Sequence, residues 1–448
     1  MPPNGTRAAP RPPGPTDQPL RTTRRFSRDP LALLSSLEAS YGDVAAFRYG
    51  PGTLYLVTDP GAVGTVLGET GGRFAKLDAS GDDVEELLGS GLLLSEGEQW
   101  KRHRSLMEPW FARGHVESAV DVMVARTREV VDEWTPGDRV DVYREASALT
   151  LSVFAEAALG VSLSRETIER LRVALEPVGA RFEPDPIRSA LPEWLPTPGD
   201  RAFREGVGTL ESVVDEVIAE RRATTDDEER LLDALLAAYD DGSFTRAELR
   251  DELVTLLLAG HDTTALTLTY AWYLLAGHPS VDERLGGEVA DLDGPLDPSD
   301  LDALDVTGRV VSESLRLYPP AWLLLRRPTR PVTLAGYGLP ADAPLLLSPW
   351  ALHRSERWYE SPTSFDPSRW RPGRGRDRPA FAYVPFGAGP RTCVGRQFAL
   401  VEARVVLAEV ARRVRFVDPP ESLRLRPTLT LHPDGPVELT VEARDGGG

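Results

Sequence analysis

Cys393 is the one cysteine of this chain, and it closes the run Phe386-Gly387-Ala388-Gly389-Pro390-Arg391-Thr392-Cys393-Val394-Gly395. A lone thiol can form neither an internal disulfide nor a multi-cysteine metal site, which leaves an inert side chain, a nucleophile or a single metal ligand. The glycines let backbone approach something flat and bulky. A helix is expected over Arg396 to Arg415, and its dipole together with Arg391 is expected to favour the thiolate. Elsewhere Ala259-Gly260-His261-Asp262-Thr263-Thr264 sets an acid and a hydroxyl inside an otherwise apolar stretch, where a carboxylate is costly without a partner or a task. Glu313 and Arg316 lie three apart, on one face of a helix, and Trp100 and Arg104 lie four apart, where both can donate to a carboxylate.

These groups need positioning elements. Arg246 to Gly277 has no internal proline and reads as one long buried helix ending at Gly277-His278-Pro279. Leu31 to Tyr41 has helical spacing, and the pattern from Pro60 to about Asp291 is helical, broken at Pro136-Gly137-Asp138 and over residues 177–199. Val44 to Tyr49 and Thr53 to Thr58 read as a hairpin, and short strands are expected at Pro331 to Leu334 and Pro344 to Leu347. The expected fold is mainly α with small β-sheets at one side (α+β): a proline-rich, disordered leader over residues 1–29 and a single domain over 30–448.

The Cys393 run closely resembles the haem-binding signature of the cytochromes P450, F-x-x-G-x-R-x-C-x-G, with Phe386, Gly389, Arg391, Cys393 and Gly395 at the fixed positions. Glu313-Ser314-Leu315-Arg316 resembles the family's ExxR, and Phe365-Asp366-Pro367-Ser368-Arg369-Trp370 the motif whose arginine completes a Glu-Arg-Arg cluster. Ala259 to Thr264 resembles the oxygen-activation motif, and Trp100 to Arg104 the W-x-x-x-R of a propionate-binding helix. Together these motifs extend the resemblance from about residue 30 to the end.

The resemblance implies haem b with Cys393 as axial iron ligand, pushing electron density toward oxygen cleavage. It implies propionate contacts from Trp100, Arg104, Arg391 and Arg326, with Arg327 an alternative to Arg326. Phe386, Gly389, Gly395 and Ala259 would border the macrocycle. Thr263 would stabilise the oxygen under activation and Asp262 would feed it protons; Glu313, Arg316 and Arg369 would lock the core. The expected activity is insertion of one atom of O2 into a hydrophobic small molecule, such as a terpenoid, fatty acid or polyketide, within secondary metabolism. Leu258, Ala259, Ala321, Trp322 and Leu324 would line the pocket, Trp322 narrowing it. Electrons from NAD(P)H would arrive through a separate ferredoxin or flavodoxin with its reductase, docked near Lys101, Arg102 and Arg396. A peroxygenase using H2O2 on the same fold is an alternative, disfavoured by the Asp262-Thr263 pair; a haem sensor or carrier without turnover is another.

Composition bounds the rest. Of 448 residues, 51 are Lys or Arg and 69 Asp or Glu, so the net charge is −18, unsuited to tracking nucleic-acid phosphates. Only two lysines occur, Lys76 and Lys101. Apolar residues make up 41%, enough for a large core, yet no 18-residue uncharged apolar run or signal-peptide core is present. The expectation is a cytoplasmic monomer with no membrane span and no nucleic-acid partner.

Overall fold

The computed structural model describes residues 9–16, 19–77, 81–183, 197–224, 228–292 and 294–444. Its organising element is a helix from Arg246 to Ala276, 31 residues and about 46 Å long at 1.5 Å per residue. Thr245 starts it with a capping box: its hydroxyl accepts from the Glu248 amide, and the Glu248 carboxylate accepts from the Thr245 amide at 2.8 Å. Leucines, alanines and threonines cover nearly its whole circumference, and most of them are buried, as expected of a helix running through a core. Helices Val142–Phe154, Asp305–Leu317 and Arg396–Ala411 pack around it.

A five-stranded sheet stands to one side, in the order Val44–Tyr49, Gly52–Val57, Leu345–Leu347, Leu324–Pro328, Phe74–Lys76. Only the pairing of Gly52–Val57 with Leu345–Leu347 is parallel. A second sheet joins Arg139–Asp141, Glu438–Ala443 and Val414–Val417, and two hairpins, Val332–Leu334 with Tyr337–Leu339 and Leu425–Pro427 with Leu431–Pro433, complete the strands. The mixed α+β architecture is as expected from the sequence. The final helix, however, stops at Ala411 instead of continuing to Arg415, because Val414–Val417 has its ladder partner in Glu438–Ala443.

The leader departs further from expectation. Pro19–Arg28 is a helix, and residues 9–16 lie against the sheet, where the Pro13 carbonyl accepts from the Ala46 amide and the Pro10 carbonyl from the Gly338 amide, each at 2.8 Å. A Cβ on Gly14 would fall 1.7 Å from the Ala46 oxygen, so only glycine permits this approach. Prolines cannot donate to a ladder but their carbonyls still accept, and that is how the segment is held.

Glu313 is fully buried and saturated with donors. Arg316 meets it bidentately at 2.8 and 2.9 Å, Arg369 at 3.2 Å, Trp370 Nε1 at 2.9 Å and the Asp366 amide at 3.0 Å. Arg316 also donates to the carbonyls of His353, Pro362 and Ser364. His353 is held neutral, its pKa pushed down to about 3 by burial and by Arg316 and Arg354, so its Nε2 accepts from the Val384 amide at 2.9 Å. The cluster therefore reaches to within two residues of Phe386. Replacing Arg316 by Met would strand a buried carboxylate and should cost about 3–5 kcal/mol in urea unfolding; a loss under about 1 kcal/mol would show that the cluster is not a structural keystone.

Candidate active site

The cysteine loop is a succession of tight turns ahead of the Arg396–Ala411 helix. Gly387 and Gly389 take φ of +68° and +70°, and a Cβ on Gly389 would sit 2.2 Å from the Leu67 carbonyl oxygen. The Cys393 amide donates to the Phe386 carbonyl at 3.0 Å and the Thr392 amide to the Gly389 carbonyl at 3.0 Å, closing the loop on itself. Gly395 caps the following helix with φ −80°, so its backbone does not need glycine's left-handed freedom.

Cys393 is accessible to solvent and yet closely surrounded by protein. Burial raises its thiol pKa; the Gly395 amide, Arg104 and Arg396 pull the other way without prevailing. Arg104 and Arg396, and not the expected Arg391, are the arginines that act on the thiol. A thiol in this setting is a poor free nucleophile and ionises when a metal ion coordinates it.

Ala259, on the long helix, is likewise exposed between buried neighbours Leu256 and Leu257 on one side and His261 on the other. Thr263, one turn on, bonds the Ala259 carbonyl at 3.1 Å and is itself partly accessible. The long helix reaches the cysteine helix through Phe154. A Cβ on Gly260 would come within 2.9 Å of the Phe154 ring, which packs edge-on against Phe398 at 6.0 Å. The space beside Gly260 is therefore filled by that ring. Further along, the buried carboxyl of Glu402 faces Thr264, and burial raises its pKa well above the ordinary carboxylate range.

A positive cluster borders the loop. Lys76 and Arg326 are directly opposed on neighbouring antiparallel strands, a pairing of like charges that costs stability in a sheet. Both feel Arg391, and Glu96 is the acid nearest all three. Arg326 makes one side-chain bond, to the Leu325 carbonyl at 2.8 Å, while Lys76 points its ammonium at the carbonyls of Leu92, Leu93 and Ser95. Arg391 lies over the Trp100 ring at 4.7 Å and donates to the Ser95 carbonyl at 3.0 Å. Arg104 donates to the Thr392 carbonyl at 2.8 Å, beside the cysteine. Arg327 turns outward to Asp342 at 2.6 Å, so of the two neighbours it is Arg326 that joins the cluster.

Asp262 has the partners its burial demands. Tyr143 Oη donates to Oδ1 at 2.9 Å, Thr430 Oγ1 donates to Oδ2 at 2.8 Å, and His432 Nε2 lies 3.4 Å from Oδ2. Burial alone would raise its pKa, but His432, His261 and the Thr430 hydroxyl hold it well below the ordinary carboxylate range. His261 is buried and bonded to the Leu257 carbonyl, a helix histidine as expected.

The pocket residues divide. Leu258, Ala321 and Leu324 are partly buried, and Leu324 sits about 4 Å from the position a Cβ on Gly387 would take. Trp322 does not narrow a pocket: it is buried among Phe26, Leu31 and Leu34, with its Nε1 bonded to the Thr428 carbonyl at 2.9 Å. Of the segment 177–200, residues 184–196 lie outside the described residues. Tyr143, Thr430, His432 and Lys76 escaped the sequence reading. Only Lys76 carried a signal there, as one of two lysines in an arginine-rich chain.

An accessible cysteine in a glycine-rich loop, half-buried cations that outnumber the acids beside them and an acid-threonine pair fit a haem with two propionates. The family model described as Cytochrome P450 matches residues 12–440. The chain belongs to the cytochrome P450 family. It is 36% identical over 433 residues to the cyclooctatin synthase of Streptomyces melanosporofaciens, covering 94% of this chain and 92% of that one. Identity is 34% to the cyclooctat-9-en-7-ol 5-monooxygenase of the same organism (95% and 93% covered) and 32% to the pentalenene oxygenase of Streptomyces avermitilis (94% and 95%). Among solved structures, a cytochrome P450DA haem domain superposes with a TM-score of 0.85 at 26% identity, covering 98% of each chain. CYP175A1 from Thermus thermophilus gives 0.78 at 28%, covering 96% of this chain and all of that one. This P450 is accordingly a haem-iron monooxygenase that uses O2 and reducing equivalents on a small molecule. Among the described residues no helix is long and apolar enough to cross a membrane.

In haem-free P450, Lys76 is pushed down to about 7 from its ordinary 10.5, first by burial and then by Arg391 and Arg326. Between those values the unfolded chain binds a proton that the folded chain has released, so this residue makes stability rise with pH across the window. Lys76→Met should raise the Tm of the haem-free protein at pH 7 and flatten its rise toward pH 10.5. Equal slopes for wild type and variant would refute the uncompensated charge.

Proposed function

We propose that this P450 oxidises a terpenoid, inserting one oxygen atom from O2 with electrons that originate in NAD(P)H and arrive through a separate ferredoxin or flavodoxin. The observation that carries the reading is the geometry on the long helix: an accessible Thr263 hydroxyl one turn from the exposed Ala259, beside a carboxylate held in a polar network. Support for the substrate class comes from the printed names of the relatives, which describe oxidation within the cyclooctatin and pentalenene series.

In this reading Cys393 would hold the iron of haem b, which when bound supplies the oxygen-activating chemistry. Trp100, Arg104, Arg326 and Arg391 hold its carboxylates, with Lys76 added to that set; two propionates would replace like-charge repulsion by charge-assisted bonds. Phe386, Gly389, Gly395 and Ala259 border the ring. Glu313, Arg316 and Arg369 hold the loop from beneath. Leu258, Ala259, Ala321 and Leu324 give the substrate an apolar wall that excludes water. Thr263 donates its hydroxyl to oxygen, and Asp262 supplies the proton. Exposed Lys101 and Arg396, with Arg102, form a basic rim for an acidic electron carrier, which a monomer suffices to present.

The first test is absorption under CO after reduction. A strongly red-shifted Soret band should disappear in Cys393→Ser, and a band typical of histidine ligation in the wild type would overturn the ligand assignment. Titration with cyclooctat-9-en-7-ol should move the ferric spectrum toward high spin, whereas a response to fatty acids alone would redirect the substrate class. Thr263→Ala should send most electrons to H2O2 instead of product; unchanged coupling would remove Thr263 from its role.

A further inference from the structure

We propose that His432 loads protons onto Asp262 through the Thr430 hydroxyl, making the Leu431–Pro433 strand the proton inlet of the oxygen site. The proposal rests on the reading of Asp262 as proton donor and adds how that donor is recharged.

Three atoms stand in sequence. Thr430 Oγ1 donates to Asp262 Oδ2 at 2.8 Å, and the same oxygen lies 2.8 Å from His432 Nε2. With its proton committed to the carboxylate, the hydroxyl accepts from the imidazole N–H, giving a continuous chain from imidazole to hydroxyl to carboxylate. Tyr143 fixes the other carboxylate oxygen and packs its ring edge-on against His432 at 5.5 Å, so both ends of the chain are held by one side chain. The His432 side chain is 17% exposed and that of Asp262 15%, so the histidine can exchange with solvent, and the hydroxyl between the two is partly buried.

The surrounding charges leave this role to His432. Among the described residues it is the only cationic group in an ion pair with Asp262. Its own cross-strand neighbour, Arg426, is directed to Glu183 at 3.5 Å, and Arg424 pairs with Asp434 at 3.3 Å at the base of the hairpin. From the long helix, His261 is bonded to the Leu257 carbonyl, and Tyr270 Oη donates to the Leu431 carbonyl at 2.6 Å. A carboxylate compensated by arginine keeps a permanent partner. One compensated by histidine has a partner that can itself pass a proton on.

The step is a proton transfer with no change in oxidation state. The His432 imidazolium gives its Nε2 proton to Thr430 Oγ1 as the Thr430 hydroxyl proton passes to Asp262 Oδ2. Thr430 ends unchanged apart from a rotation, and His432 takes a proton from solvent.

Two experiments on the haem-loaded chain decide it. Nitrogen-15 NMR of the six histidines, with His432 assigned through His432→Gln, should find neutral His432 protonated at Nε2 and perturbed by Thr430→Val. An unprotonated Nε2 would mean that Thr430 donates to the histidine and not to Asp262, which overturns the relay. The second experiment follows product and H2O2 per NAD(P)H across the neutral pH range, with cyclooctat-9-en-7-ol, a ferredoxin and its reductase. His432→Gln keeps an N–H for Thr430 but cannot pass a proton on. Its coupling should fall about tenfold and lose the wild-type decline with rising pH; the loss is smaller than the ~10²–10⁴-fold of a fully removed acid because water still reaches Asp262. Wild-type coupling and pH profile in His432→Gln, with Asp262→Asn impaired, would sink the relay alone. Unimpaired Asp262→Asn would instead sink the parent reading.

Discussion

A single carboxylate, that of Glu313, holds the parts of this P450 in register. It takes a bidentate pair from Arg316, a second guanidinium from Arg369, an indole and a backbone amide, all inside the protein. Because so many donors converge on one acid, removing that acid would leave all of them without an equivalent partner. Arg316 spends its remaining donors on carbonyls of residues 353–364, and neutral His353 carries the constraint onward to Val384. The cysteine loop inherits its position from this chain of bonds, and its own glycines do the rest.

Charge is distributed unevenly as a result. The chain is strongly acidic overall, yet it gathers half-buried Lys76, Arg326 and Arg391 around Glu96, with Glu252 a further acid acting on Lys76. Proteins keep such clusters where a ligand supplies the missing sign. The oxygen side shows the opposite logic: Asp262 is surrounded by two hydroxyls and a histidine, which compensate its negative charge inside the protein.

Much of this was legible in the sequence because the motifs are continuous. The run from Phe386 to Gly395, the Glu313-Arg316 pair and the acid-threonine pair each fall within one turn or one helix, so spacing alone brings their members together. Tyr143, Thr430 and His432 come from chain segments more than a hundred residues from Asp262, and only the packing of a helix and a hairpin on the long helix unites them. Trp322 was misread for a related reason: an indole after the ExxR helix looks like a pocket wall until the N-terminal helices are seen to cover it.

The docked leader bears on how the molecule behaves among its own copies. Val44–Tyr49 is the outer strand of the main sheet, with an unpaired backbone edge of the kind that recruits strands from other molecules. Pro10, Pro12 and Pro13 lie in the segment that covers it, and Pro13 satisfies the Ala46 amide while offering no N–H to any newcomer. The proline run is in this sense a dead end for β-sheet growth, protecting a crowded solution of this protein from strand-by-strand aggregation.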